Sequence, residues 1–155
     1  HCPTIVKTPR ALKLPVKRSA PQWLRLLAWL GVAIWATAIT ILSSMTPPQI
    51  EDLAPFQVWD KAAHFGAFLA GGVNLTLALC WSTLWRWKRV VVFAVIALCV
   101  FGAVDEIHQL YTPNRSGADV FDWTADALGS LTGALLTAFI YARYFSTPRP
   151  APARA

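Results

Sequence analysis

In the segment WDKAAHFGAF, residues 59–68, Asp60 stands four residues before His64 and Lys61 three, so a helix would bring all three to one face. A second segment, VDEIHQLYTPNRSGADVFDWTADALG, residues 104–129, adds Asp105, Glu106, Gln109, Arg115, Asp122 and Asp126. Those residue types support three kinds of chemistry. His64 or Glu106 can carry a proton as general base or acid, with Asp60, Asp105 and Asp122 completing the candidate catalytic set. Lys61 and Arg115 can hold a phosphate or carboxylate, with Gln109 and Asp126 as further ligand contacts. Asp105, Glu106 and Asp122 offer oxygen donors to a divalent cation such as Mg²⁺ or Ca²⁺.

Each cluster also has a plain structural reading. An Asp at a helix start suits the macrodipole, a Lys there reaches for water, and Asp122 can act as a cap. Asp105 and Glu106 resist that reading, because they end an uncharged run at the helix terminus where the dipole disfavours anions. They need compensation from Lys61, Arg115, His64 or a bound cation. Arg115 itself suits either an internal carboxylate or a ligand.

The elements that position these groups follow from hydropathy. Only 14% of the 155 residues are charged and 55% are hydrophobic, against about 25% charged in soluble domains. Crossing a bilayer takes about 20 apolar residues. Four stretches qualify, at about 23–44, 59–85, 90–109 and 122–144. The expected fold is therefore all-α, a four-helix transmembrane bundle (residues 21–145) between a basic tail (1–20) and a Pro/Ala-rich tail (146–155). Residues 1–20 contain no apolar h-region, which argues against a signal peptide, and the first helix reads as an uncleaved anchor.

Of the 14 Lys and Arg, all but Lys61 and Arg115 flank one end of the four runs, and all 8 acidic residues fall toward the other. The positive-inside rule then puts both termini in the cytoplasm and residues 105–122 outside. The net charge of +6 is spread along the chain as a topology signal, so membrane lipids are the expected partners and nucleic acid is not. Trp23, Trp59, Trp81, Trp85, Trp87 and Trp123 lie near helix ends as interfacial anchors. Asp122, Asp126, Gly129 and Gly133 form one stripe, whose GxxxG end should pack on a neighbouring helix and draw the two acids inward. Thr37, Thr40, Asn74, Thr76 and Thr132 are expected to bond to neighbouring helices. Cys80 and Cys99 read as small apolar residues.

Three pieces in order resemble the VanZ-like family of small integral membrane proteins. DKAAHFGAF (Asp60, Lys61, His64, Phe68) resembles its DK-x-x-H-F opening of a membrane helix. DEIHQLYTPNRSG (Asp105, Glu106, Gln109, Pro113, Arg115) is similar to its DE-x-x-Q segment followed by Pro-x-Arg. DWTADALGSLTG (Asp122, Asp126, Gly129, Gly133) is similar to its final helix start, with Asp126 where many relatives carry Asn and with Asp119 and Asp122 after Arg115 as a departure. The resemblance covers about residues 24–144 and implies a bacterial plasma-membrane protein. The family is named for a protein linked to resistance to the glycopeptide teicoplanin, which implies a fold and a location rather than a reaction.

Two functions compete on these residues. One is an enzyme acting on a lipid-linked or cell-envelope substrate at the outer membrane edge. The other is a protein that binds or shields a lipid, an antibiotic or a partner without chemistry. Ion or proton movement is disfavoured, because the inner halves of the four helices carry no charge.

Overall fold

The computed structural model describes residues 20–53 and 60–145. Both tails, and Trp59 with the rest of 54–59, lie outside the described residues. The chain forms α1 (Gln22–Ser43), α2 (Pro47–Leu53), α3 (Asp60–Ser82), α4 (Trp87–Gln109) and α5 (Val120–Phe145). α1, α3, α4 and α5 are each long and apolar enough to cross a membrane. The spans match the sequence reading to within a few residues. α4 starts earlier than expected, at Trp87, and α3 ends earlier, at Ser82. α2 was not anticipated: seven residues opening on Pro47-Pro48 carry too little periodicity to announce a helix.

Apolar side chains cover the outside of the bundle. Leu26 is 62% exposed, Ile34 60% and Ile41 57%, all on α1. Water would not tolerate such a surface on so small a protein, whereas lipid tails do, and the molecule is an integral membrane protein. In lipid, apolar burial gives little drive for helices to associate, so close packing and interhelical hydrogen bonds must do it.

The sequence supplies the packing through glycines. α3 and α5 run parallel and form the most extensive pair. A Cβ on Gly129 would strike the Phe65 carbonyl, and one on Gly133 the Leu69 carbonyl. From the other side, Gly72 of α3 lies against the backbone of Ser130–Ala134. The adjacent Gly71 faces the opposite way and receives the Trp35 ring of α1. Trp35 donates Nε1–H to the Ala67 carbonyl at 2.8 Å and meets Phe68 edge-on, 5.5 Å between centroids. Trp29 donates to Ser82 near the other end, which fixes the antiparallel α1–α3 register. α4 closes the bundle antiparallel to α5, tied by Trp123 Nε1–H to the Cys99 carbonyl. Trp123 is therefore a tether as well as an interfacial ring.

The isolated polar residues behave differently from expectation. Thr40, Thr132 and Asn74 each donate to the carbonyl four residues back in their own helix, at Ala36, Leu128 and Ala70. For these three the carbonyl one turn back is within reach and no neighbour is needed, whereas the buried Thr76 Oγ1 has no partner among the described residues.

Candidate functional site

The start of α3, the end of α4, the start of α5 and the end of α1 meet at one end of the bundle. The 110–119 connection ties them together. Thr112 Oγ1 donates to the Ser43 carbonyl and Arg115 Nη1 to the Leu42 carbonyl, both at 3.0 Å. These are terminal carbonyls of α1, and the Leu42 carbonyl also accepts the Met45 N–H at 3.1 Å. Arg115 thus places its charge at the C-terminus of α1, where the dipole favours it, and pairs with no acidic side chain among the described residues.

The loop then folds back on α4. Asn114 and Ala118 take left-handed conformations, with φ of 61° and 58°. That turn directs the Ala118 N–H to the Glu106 carbonyl at 3.0 Å and the Asp119 N–H to Glu106 Oε2 at 2.9 Å. Gly117 is required by proximity, since a Cβ there would strike the Glu106 carbonyl and the backbone of Gln109 and Leu110. Asp119 caps α5 by accepting the Phe121 N–H at 2.7 Å. That bond holds the Asp119 carboxyl below the ordinary carboxylate range; desolvation opposes it less strongly, and the nearby Lys61 ammonium adds a further downward pull.

The acids then find partners across the helices. Lys61 pairs with Asp122 at 2.5 Å and Asp119 at 3.4 Å. His64 Nδ1 lies 3.0 Å from Asp126 Oδ1, and Asp126 is fully buried. Gln109 donates to Asp105 Oδ2 at 3.0 Å from one turn away. Asp105, Glu106, Gln109 and Asp122 are all buried, while Asp60 is exposed. His108 belongs elsewhere, in an exposed contact with Ser44.

All nine sequence candidates therefore surround one region, in two groups that their helix angles separate. Asp105, Gln109, Asp60, His64 and Arg115 line a cavity of about 210 Å³ with the apolar Ile39, Leu42, Ala67 and Phe68. Its neighbour, about 260 Å³, shares Ile50, Asp60, Gln109 and Arg115 and adds the polar Glu51, Asn114, Ser116 and Asp122. Glu106 and Asp126 lie on the other side of His64, between α4 and α5. Donor atoms of His64, Glu106 and Asp126 fall within 4.8 Å of one another, as do those of Asp60, His64 and Asp122. Among the described residues these are the groups that could hold a metal ion, and the anticipated set of Asp105, Glu106 and Asp122 is not one of them. Neighbours in sequence are about 100° apart on a helix, which turns Asp105 and Glu106 to different sides of α4.

A family model described as VanZ/LLP1 matches residues 19–141. The chain belongs to the VanZ/LLP1 family. Neither the curated proteins nor the solved structures contain a match. The matched region contains every residue of the site just described. In this VanZ/LLP1 chain two contributors escaped the sequence reading. Asp119 had a signal, an Asp two residues before Phe121 at a helix start. Gly102 sits one turn before Glu106, and a Cβ there would lie 2.9 Å from Asp126 Oδ2 and 3.2 Å from Phe68. A larger cavity, about 560 Å³, lies at the opposite, basic end among Trp85, Lys88, Arg89, Val92, Phe93, Ile96 and Ala97, with no acid or imidazole in its lining.

Proposed function

We propose that the acidic end of this protein takes up the head of an amphiphile, a lipid-linked or cell-envelope molecule, at the outer face of a bacterial plasma membrane. The supporting observation is the pair of adjoining cavities. The one walled by Ile39, Leu42, Ala67 and Phe68 suits an alkyl segment, and the one walled by Asn114, Ser116 and Asp122 suits a polar head. Arg115 and Gln109 stand at the shared boundary.

Catalysis is the reading we favour over shielding, because of the His64–Asp126 pair. A buried carboxylate that accepts Nδ1–H leaves Nε2 as the basic atom, on a ring that borders the first cavity. Lys61, paired with Asp122, gives that carboxylate a countercharge of its own. The outcome for the cell is reduced teicoplanin susceptibility. Expression in a susceptible bacterium should raise the inhibitory concentration of teicoplanin, and His64→Ala and Glu106→Gln should abolish the rise at equal membrane abundance. Full protection by both variants would contradict catalysis. Loss of protection in Asp105→Glu as well separates positioned chemistry from binding, which tolerates that exchange.

A further inference from the structure

Asp60, Asp105, Glu106, Asp119, Asp122 and Asp126 crowd one end of the bundle against Lys61 and Arg115 alone. Arg115 is spent on the α1 carbonyls and Lys61 on Asp119 and Asp122. Neither reaches Glu106 or Asp126. Those two are 3% and 0% exposed, and each keeps one carboxylate oxygen, Oε1 and Oδ2, with no partner among the described residues. A buried carboxylate oxygen left unpaired is costly, and two of them beside one imidazole lack a cation.

We propose that His64, Glu106 and Asp126 form a divalent-cation site of the Mn²⁺ or Zn²⁺ class. Their donor atoms already lie within 4.8 Å of one another, and two carboxylates with a neutral imidazole balance a charge of two. On binding, the Nδ1 proton that His64 shares with Asp126 moves to Nε2, so the imidazole stays neutral and Nε2 serves as a base only in the ion-free form. One nitrogen and two carboxylates favour a transition metal, whereas Ca²⁺ takes 6–8 oxygens. The other group, Asp60–His64–Asp122, is weaker because Lys61 occupies Asp122 and Asp60 is exposed. Cavities flank the site on two sides: Glu106 borders a cleft of about 220 Å³ with Ala118, Asp119 and Trp123, and His64 borders the cavity of about 210 Å³. The inference rests on the amphiphile reading for its purpose, since an ion here makes an otherwise anionic pocket receptive to a phosphate-bearing head.

The test uses the full chain in detergent micelles, stripped with a chelator and titrated with Mn²⁺ alone while the free-ion paramagnetic resonance signal is followed. One ion should bind per chain, displaced by Zn²⁺ and not by equal Ca²⁺. Glu106→Gln and Asp126→Asn should weaken it by more than the roughly 100-fold that loss of an outer partner costs. Asp52→Asn, exposed on α2, should leave it unchanged. Should either variant fail to fold, pulsed resonance on the wild-type Mn²⁺ complex decides, because an imidazole nitrogen must couple to the ion. Absence of stoichiometric binding, of that coupling, or of any effect from both variants overturns the site. Amphiphile labelling repeated in chelator keeps the two readings apart: labelling that survives while Mn²⁺ fails to bind overturns the metal site alone.

Discussion

At the acidic end, buried side chains from three helices hold one another in place, Lys61 on Asp122, His64 on Asp126 and Glu106 on the 110–119 loop. At the basic end the charges lie on the surface: Lys88 rests over the Trp87 ring at 5.6 Å and Arg143 over Tyr144 at 5.8 Å. Both ends meet water and headgroups, so the difference does not come from their surroundings. Interfacial anchors need only reach the surface, whereas buried ionisable groups persist only if partnered or used. The larger cavity belongs to the basic end, and size alone would have chosen the wrong place for chemistry.

The contrast depends first on the α3–α5 contact that draws Asp122 and Asp126 inward. Gly129→Leu puts side-chain atoms into the Phe65 backbone, and the loss of stability should reach or pass the top of the roughly 1–3 kcal/mol range for overpacking. Size-exclusion chromatography in detergent should show loss of the monodisperse species.

Removing charge should separate the two ends next. Lys61→Met strands Asp122, which is 3% exposed, and should lower the thermal midpoint, with recovery on adding Asp122→Asn. Lys88→Met at the basic end should leave the midpoint unchanged. A double-variant cycle that shows no coupling between residues 61 and 122 would remove the pairing from the account.

Two glycine substitutions sharpen the comparison further. Gly102→Ala crowds Asp126 and Phe68 and should cost about 1 kcal/mol or more while abolishing activity. Gly66→Ala meets nothing within 4 Å and should stabilise α3 by up to about 1 kcal/mol.

The smallest effect is a pH dependence outside the membrane-spanning helices. Asp119 is held below its ordinary range, so its contribution is complete above about pH 4 and is lost as pH falls through the lower folded value. The difference in thermal midpoint between wild type and Asp119→Ala should shrink along that descent.

Apolar length announced the four spanning helices, and residue chemistry announced which end to examine. The stripe from Asp122 to Gly133 told that α5 packs closely, while its partner α3 emerges only from the reciprocal glycine, Gly72. Arg115 could not be assigned from sequence, because its acceptors are backbone carbonyls at and just past the end of α1, some 70 residues earlier. Asp105 and Glu106 are adjacent in the chain, yet one borders the cavity and the other gathers with His64 and Asp126. Helix rotation separates them, and only the placement of α3 and α5 reveals which partner each obtains.

The central claim is that the acidic end, rather than the roomier basic one, receives an amphiphile. Membranes carrying the full chain would be labelled with a phosphate-bearing alkyl diazirine in the presence of Mn²⁺, and the adducts mapped by mass spectrometry. The account predicts saturable adducts at Ile39, Ile50 and Ala67, lost in His64→Ala. Saturable labelling confined to Val92, Phe93 and Ile96, or even labelling of every lipid-facing helix, would contradict it.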